Sequence, residues 1–218
     1  EGFLSVQAEV TNDLKFTYPD EIIGLLLKGN GHPDLIGKKL QLGNIDFNGT
    51  SYYQIGVGYA QRFLGNRLQV GLRVNYLKGI LNMEIDQSTS GYFRTDPNNY
   101  HLEVNIQKAQ LNMAGLSLFE ENADVNKHLW GRNNQGLGID IGGVYEINSR
   151  SRAFFSLLDM GFIRWNYDVT NYRIEDGVYT YGGVDIDEVD KMEDLLDSLE
   201  TIFEPEEIQE YYQTPLHT

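Results

Sequence analysis

The sequence predicts an all-β protein, an antiparallel up-and-down transmembrane β-barrel, and three observations carry that prediction. Apolar residues recur at every second position: Leu137, Ile139 and Ile141 alternate with Gly136, Gly138, Asp140 and Gly142, and Tyr53, Ile55, Val57 and Tyr59 with Gln54, Gly56, Gly58 and Ala60. This is the period at which strand side chains change face. The 23 Gly, 14 Tyr and 10 Phe among 218 residues favour turns and pleated sheet over helix. The second face carries Gly, Gln, Asn and Asp rather than the Thr, Lys and Glu of a water-facing sheet. Glycine repeated on one face of a strand points to crowding or curvature, which a narrow barrel interior provides.

The elements follow in chain order. Loose alternation from Phe3 to Tyr18 predicts one or two strands with a turn near Thr11–Asp13. Pro19 to Asn30 reads as a short helix with proline at its first position, acids in its first turn and Gly29 at its stop. It is apolar on most sides, as a plug in a barrel lumen would be. A strand is expected around Lys39 to Phe47, and Asn48-Gly49 as a turn. The hairpin that follows is the clearest: Tyr53 to Ala60, a turn at Leu64-Gly-Asn66, then Leu68, Val70, Leu72, Val74 and Tyr76 opposing Gln69, Gly71, Arg73 and Asn75. Its counterpart runs from Gly136 to Trp165 around Asn148-Ser-Arg150. Further strand sequence covers 81–85, 100–113, 169–174 and 178–186, the last two separated by a Glu175-Asp-Gly177 turn, and the polar intervals 86–99 and 120–135 read as loops. After Asp185 the apolar period becomes three and four, through Val189, Met192, Leu195, Leu196, Leu199, Ile202 and Phe203, which predicts an acidic amphipathic helix over 187–203.

Composition narrows the function classes. With 17 Lys and Arg against 32 Asp and Glu the formal charge is −15, a surface that repels nucleic acid. No cysteine is present, which excludes disulfides, thiolate metal sites and a cysteine nucleophile. No apolar run approaches the ~20 residues of a membrane helix. A membrane barrel, whose segments of about ten alternating residues are only weakly hydropathic, is compatible with a mean hydropathy of −0.39. The even spread of apolar residues reads as a single domain over 1–218. A start in strand-like sequence without a signal peptide, and an end without a closing aromatic strand, lead us to expect that more strands follow.

Alternation places Arg73, Asp140 and Asp159 on the polar face, where an interior charge needs a partner or hydration, so an Arg/Asp network lining the lumen is expected. Tyr59, Tyr76, Tyr145 and Trp165, with Tyr52, Tyr53 and Tyr167, lie near strand ends and are expected to form aromatic girdles. Other motifs carry less. The glycines from Gly136 to Gly142 have the wrong spacing and setting for a nucleotide loop. His32, His101, His128 and His217 are too dispersed for a metal site, and neither a GxSxG motif nor a Ser/His/Asp order points to an enzyme. Asp185, Asp187 and Asp190 lack the logic of a Ca²⁺ loop and serve better as helix cap and solvation. The Asn48-Gly-Thr50 sequon and the Asp197-Ser-Leu199 tripeptide are matches too short to weigh.

Phe16-Thr-Tyr-Pro-Asp-Glu-Ile-Ile-Gly-Leu-Leu26, Gly136–Gly142, Leu158-Asp-Met-Gly-Phe-Ile-Arg-Trp165 and Tyr181-Gly-Gly-Val-Asp-Ile186 together resemble an uncharacterised outer-membrane β-barrel family of Bacteroidota. That family is similar in turn to long-chain fatty-acid transporter barrels and to barrels associated with type IX secretion. The resemblance implies an outer-membrane location, a barrel longer than this chain, and a transport or envelope-assembly role without catalysis or cofactor. The partners it implies are outer-membrane lipid and either a hydrophobic small molecule or another envelope protein. The competing expectation is a soluble or periplasmic β-rich binding module that interacts through its acidic helix.

Overall fold

The computed structural model describes residues 2–121, 123–181 and 201–216. In chain order its strands are β1 (Gly2–Thr17), β2 (Leu40–Gln41), β3 (Asp46–Phe63), β4 (Leu68–Ile85), β5 (Ser90–Thr95), β6 (Leu102–Ala114), β7 (Gln135–Asn148), β8 (Ser151–Trp165), β9 (Val169–Ile174), β10 (Gly177–Tyr181), β11 (Glu206–Ile208) and β12 (Tyr212–Pro215). Two short helices, α1 (Asp20–Lys28) and α2 (Val125–Trp130), join them. All strand pairs are antiparallel, and the protein is all-β as expected.

Five long strands lie side by side in the order β1-β3-β4-β7-β8. At one end they are joined by short turns, over 64–67 and 149–150; at the other end the connections are long, over 18–45, 86–134 and from 166 to the start of β12, the last including residues outside those described. Leu64, Gly65 and Asn66 have φ of 53°, 64° and 72°, so the predicted turn is a run of left-handed residues that only a tight reversal demands. The sheet does not close. Among the described residues β1 is unpaired along its outer edge, and β8 meets β12 only through Phe162–Trp165.

β4 holds the architecture together because its two halves have different neighbours. Leu68–Lys78 pair with β7, whereas Asn82–Ile85 pair with β6. Between them the register with β3 slips by one residue, from Tyr52↔Gly79 to Ser51↔Leu81, leaving Ile80 as a bulge. From β6 the sheet runs on through β9 to β11, and from β7 through β8 to β12. The two branches meet again where Tyr212 and Thr214 of β12 donate hydrogen bonds to Asn82 and Glu84 of β4, at 2.7 and 2.9 Å.

Two small cores result. One packs Trp165, Leu77, Ile163, Tyr52, Ala114 and Val169 under the β4 fork. The other packs Leu40, Phe93, Val104 and Ile106 between β2, β5 and β6, and α1 lies on it through Ile22 and Leu25.

The structure corrects several expectations. β1 is one continuous strand, because every residue from Gly2 to Thr17 finds a partner on β3 and no turn interrupts it. Asn48-Gly49 is strand, not turn: Asn48 donates to Glu84 and accepts from Thr50, so its side chain satisfies β-strand neighbours instead of its own backbone. The interval 86–99 contains β5, and 120–135 contains α2. Helix α1 sits on the second core rather than in a lumen, and Pro19 is its N-cap. Of the acidic helix expected over 187–203, only 201–203 fall within the described residues, where they are helical.

Candidate functional site

The long-stranded sheet has two chemically opposite faces, and register assigns residues to each. On the first, successive rows across β3, β4 and β7 read Phe63-Leu68-Tyr145, Gln61-Val70-Gly143, Tyr59-Leu72-Ile141, Val57-Val74-Ile139 and Ile55-Tyr76-Leu137. β1 extends these rows with Leu4, Val6 and Ala8, and β8 with Phe155, Leu157, Met160 and Phe162. The band is apolar yet open to the surroundings: Val57, Leu72, Ile139 and Leu157 are 52%, 49%, 41% and 55% exposed. Along β4 it occupies Leu68 to Tyr76, nine residues, and stops at Lys78. Nine strand residues rise about 27 to 31 Å along the strand, and about 20 to 24 Å if tilted by some 40°.

Lys78 shows why the band ends there. Although on the same face, it is fully buried, because the segment around α2 folds over it. Its ammonium donates to the Gly131 carbonyl at 3.1 Å and to the carbonyl and side chain of Asn133. Beside it the Tyr53 hydroxyl donates to the Leu129 carbonyl at 2.7 Å. The exposed Trp130 stands 6.1 Å from the Tyr53 ring, over an apolar groove of about 460 Å³ lined by Val10, Tyr53, Ile55, Ile80 and Leu129.

On the opposite face Arg73 and Asp140 are direct register partners on β4 and β7, with Nη1 and Oδ2 3.4 Å apart. Asn75 Nδ2 donates to the same carboxylate oxygen at 3.0 Å, and the Asp159 backbone N–H donates to the other at 2.8 Å. That last bond has a structural cause. Between Ile139↔Met160 and Ile141↔Leu157 an extra residue enters β8, Asp159 takes φ 53°, and the Asp140 carboxylate accepts the N–H that the bulge removes from the ladder. Glycines make the room: a Cβ on Gly56 would strike Asn75 and Arg73. The pair faces a cavity of about 260 Å³ that also meets Phe3, Ser5, Gly58 and Leu158. Arg73 Nε is buried there without a hydrogen-bond partner among the described residues.

Above the bulge of β4 this face is filled by a hydrogen-bonded polar cluster. Asn48, Asn112 and Thr214 donate to Glu84; Asn82 donates to Thr50, Thr50 to Asn48, and Asn171 to Asn112. Trp165 seals it from below, its indole N–H donating to Thr214 at 2.9 Å and its ring lying on Gly79, where a Cβ would not fit.

Arg73, Asp140 and Asp159 are therefore brought together, with Asp140 at the centre, whereas the four aromatics are not equivalent. Tyr76 and Tyr145 stand in the two end rows of the apolar band, and Tyr59 in the middle row, its hydroxyl donating to Gln61 at 3.0 Å. Trp165 is corrected: at 0% exposure it belongs to the core, on the face opposite the band. It follows Gly161 by four residues and must share its face, a signal that proximity to a strand end obscured.

Sequence reasoning also missed a Ser, a His and an Asp that meet. Ser117 Oγ donates to Asp168 Oδ2 at 2.8 Å, while His128 Nε2 lies 3.1 Å from the same carboxylate and 3.3 Å from the hydroxyl. Both partners crowd one ring nitrogen, and Nδ1 faces the Asp124 carbonyl at 3.0 Å. A nucleophile triad needs the acid on one nitrogen and the hydroxyl on the other. Here the cluster fastens the 115–119 turn and α2 to the β8–β9 connection. Burial would raise the Asp168 carboxyl, but hydrogen bonds from His128 and from the Ser117 side chain and backbone outweigh it and hold it below the usual aspartate range.

By fold and by the character of its two faces, the chain is an antiparallel all-β protein with an exposed apolar band and a charged, hydrogen-bonded opposite face. It belongs to the family described as "Family of unknown function (DUF5723)", whose model matches residues 1–218. No curated protein and no solved structure matches it.

Proposed function

We propose that the chain forms the wall of an outer-membrane β-barrel with an envelope role, transport or secretion-associated assembly, rather than catalysis. The observation that carries this is the band: β3, β4 and β7 each turn a nine-residue apolar stretch outward, within the 9 to 11 residues that a membrane strand needs, and β1 and β8 extend it on either side. Short turns at one end and long excursions at the other agree with it, as does a polar second face. The unpaired edges of β1 and of lower β8 are the surfaces through which further strands would complete the wall.

Within that role the polar cluster around Glu84 favours a secretion-associated scaffold over an open uptake channel. It fills the polar face where the two branches rejoin with side chains that bond one another. The groove beneath Trp130 is the best place for a hydrophobic small molecule, on the apolar side of the wall.

The test is fractionation of the full-length gene product with electrophoresis of boiled and unboiled detergent extracts. We expect recovery with the outer membrane and a heat-dependent mobility shift. A protein soluble without detergent and showing no shift would overturn the reading in favour of a soluble β-rich binding module.

A further inference from the structure

We propose that the cavity beside Arg73 binds a small carboxylate with a flat apolar body, an arylcarboxylate. The proposal does not draw on the membrane reading, because the cavity lies on the face opposite the apolar band. It starts from a cation whose donors the fold leaves underused. A guanidinium carries five N–H donors. Among the described residues those of Arg73 meet one acceptor, Asp140 Oδ2, at 3.4 Å, and Nε is buried without a partner. Asp140 does not depend on that contact: its Oδ1 accepts the Asp159 backbone N–H at 2.8 Å and its Oδ2 the Asn75 amide at 3.0 Å. With side chains 11% and 35% exposed, the carboxylate is committed to the fold while the arginine still presents donors to the cavity. Half-buried donors of this kind are as a rule hydrogen-bonded, and the two oxygens of a carboxylate match a planar fork. Because Asp140 lines the cavity too, a monoanion suits the site better than a dianion.

The remainder of the cavity selects what the carboxylate is attached to. Gly71 and Gly142 are direct partners on β4 and β7, and Ala60 continues their row on β3, so a strip of sheet beside Arg73 is nearly bare of side chains. Packing does not demand that bareness: a Cβ on Gly142 would meet nothing closer than 3.5 Å. Phe3, the partner of Ala60 on β1, bounds the strip on one side, and Leu158, in the β8 bulge, bounds the cavity on the other. Both are apolar on an otherwise polar face, and they are 67% and 51% exposed. A flat ring laid on the strip would cover main chain and meet the Phe3 ring and the Leu158 side chain, which gains apolar burial without stranding a polar group. The row that holds Arg73 is the next one along the strands, about 6.5 to 7 Å away, so an anion of benzoate size reaches from the strip to the guanidinium. The volume of about 260 Å³ agrees. It falls below the ~300 Å³ at which pockets for drug-sized ligands begin, and so fits one ring rather than a long chain.

The experiment titrates the full-length protein in detergent micelles with 4-fluorobenzoate and with its uncharged relative 4-fluorobenzamide, each followed by fluorine NMR of the ligand. We expect saturable binding of the anion, at least tenfold tighter than that of the amide. R73Q should weaken 4-fluorobenzoate roughly tenfold to a hundredfold, the effect of losing hydrogen bonds to a charged group, and leave 4-fluorobenzamide unchanged. G142V, whose side chain would occupy the bare strip, should abolish the binding of both. The wild-type comparison needs no variant, so a folding failure of G142V leaves the test intact. Absence of saturable binding by the wild type, or equal affinity for the two probes, would overturn the proposal. So would an R73Q variant that binds 4-fluorobenzoate as tightly as the wild type, since the site would then lie elsewhere. Displacement of the probe by an equal concentration of acetate would mean that the guanidinium alone binds, and would overturn the assigned ligand class. A protein that fractionates as soluble would overturn the membrane reading and leave each of these results in force.

Discussion

Replacing Asp140 by Ala is expected to destabilise the protein far more than replacing its ion-pair partner, and the structure gives both magnitudes. Asp140 accepts from Asn75, from the Asp159 backbone N–H and, at a longer 3.4 Å, from Arg73. Its side chain is 11% exposed, that of Arg73 35%. Losing the carboxylate strands two donors, each costing roughly 1–3 kcal/mol when left unsatisfied. The ion pair, long and a third exposed on the arginine side, adds at most about 1 kcal/mol after screening. D140A should therefore cost about 3 to 5 kcal/mol. R73A leaves Asp140 with its two best donors and should cost about 1 kcal/mol. Urea unfolding of the refolded protein in detergent micelles, with both variants and the double variant, measures these values and the coupling between the two residues. If R73A costs as much as D140A, or the coupling exceeds about 2 kcal/mol, the ion pair rather than the capping of the β8 bulge organises this face, and the reasoning is wrong.

Four other outcomes follow from the same structure. I139R and L72R place a charge in the middle rows of the apolar band and should lower the stability of the membrane-inserted protein by about 2 to 4 kcal/mol, read as lost vesicle insertion; efficient insertion of both would count against the band as a lipid face. G79V drives a side chain into the Trp165 ring, so it should cost about 1–3 kcal/mol or more and shift the indole fluorescence to the red; an unchanged emission spectrum would contradict the packing described. D168N keeps a residue that tolerates positive φ while removing the charge that binds Ser117 and His128, and should speed proteolysis within 115–134 at a cost of about 1–3 kcal/mol. Because the Asp168 carboxyl lies below its usual range when folded, its contribution is fully present above the ordinary aspartate value and is lost as pH falls through the depressed one; the acid-side loss of stability should therefore flatten in D168N, and an identical slope would show that Asp168 is not its source.

The long hairpins were legible because a period of two is a global signal. Once Tyr53 to Ala60 and Leu68 to Tyr76 alternate in step, the facing of each residue follows from counting, and with it the common face of Arg73 and Asp140; that β4 pairs with β7, with β5 and β6 between them in sequence, does not. What counting misses is a change of phase. Ile80 and the Leu158–Asp159 pair each insert a residue, so the parity read from one half of the strand fails in the other. Two elements within 86–134 were illegible for a different reason: β5 and α2 are six residues each, too short for periodicity, and are held by tertiary contacts such as the burial of Phe93 and the Asp168–His128 bond. Asn48-Gly49 misled because its turn chemistry is real but was outweighed by Glu84, thirty-six residues away in sequence.

The two bulges also explain how one sheet serves two environments. Below Ile80, β4 turns alternate residues to the apolar band and to the charged face; above it, the phase reverses, its partner changes from β7 to β6, and the residues on the charged face become Asn82 and Glu84. Were Ile80 kept and paired in regular register, the period that exposes Leu72, Val74 and Tyr76 would continue, and Asn82 and Glu84 would point out beside Lys78 instead of meeting Thr214 and Tyr212. Deleting Ile80 should therefore heal the ladder without changing the phase: Leu81 then follows Gly79 opposite Ser51 and Tyr52, residues 81–85 keep their faces, and Glu84 stays within its ring of donors. Hydrogen exchange at the amides of 68–78 and of 81–85, compared between wild type and deletion, checks this: protection retained in both halves supports the phase argument, and loss of protection over 81–85 in the deletion would overturn it.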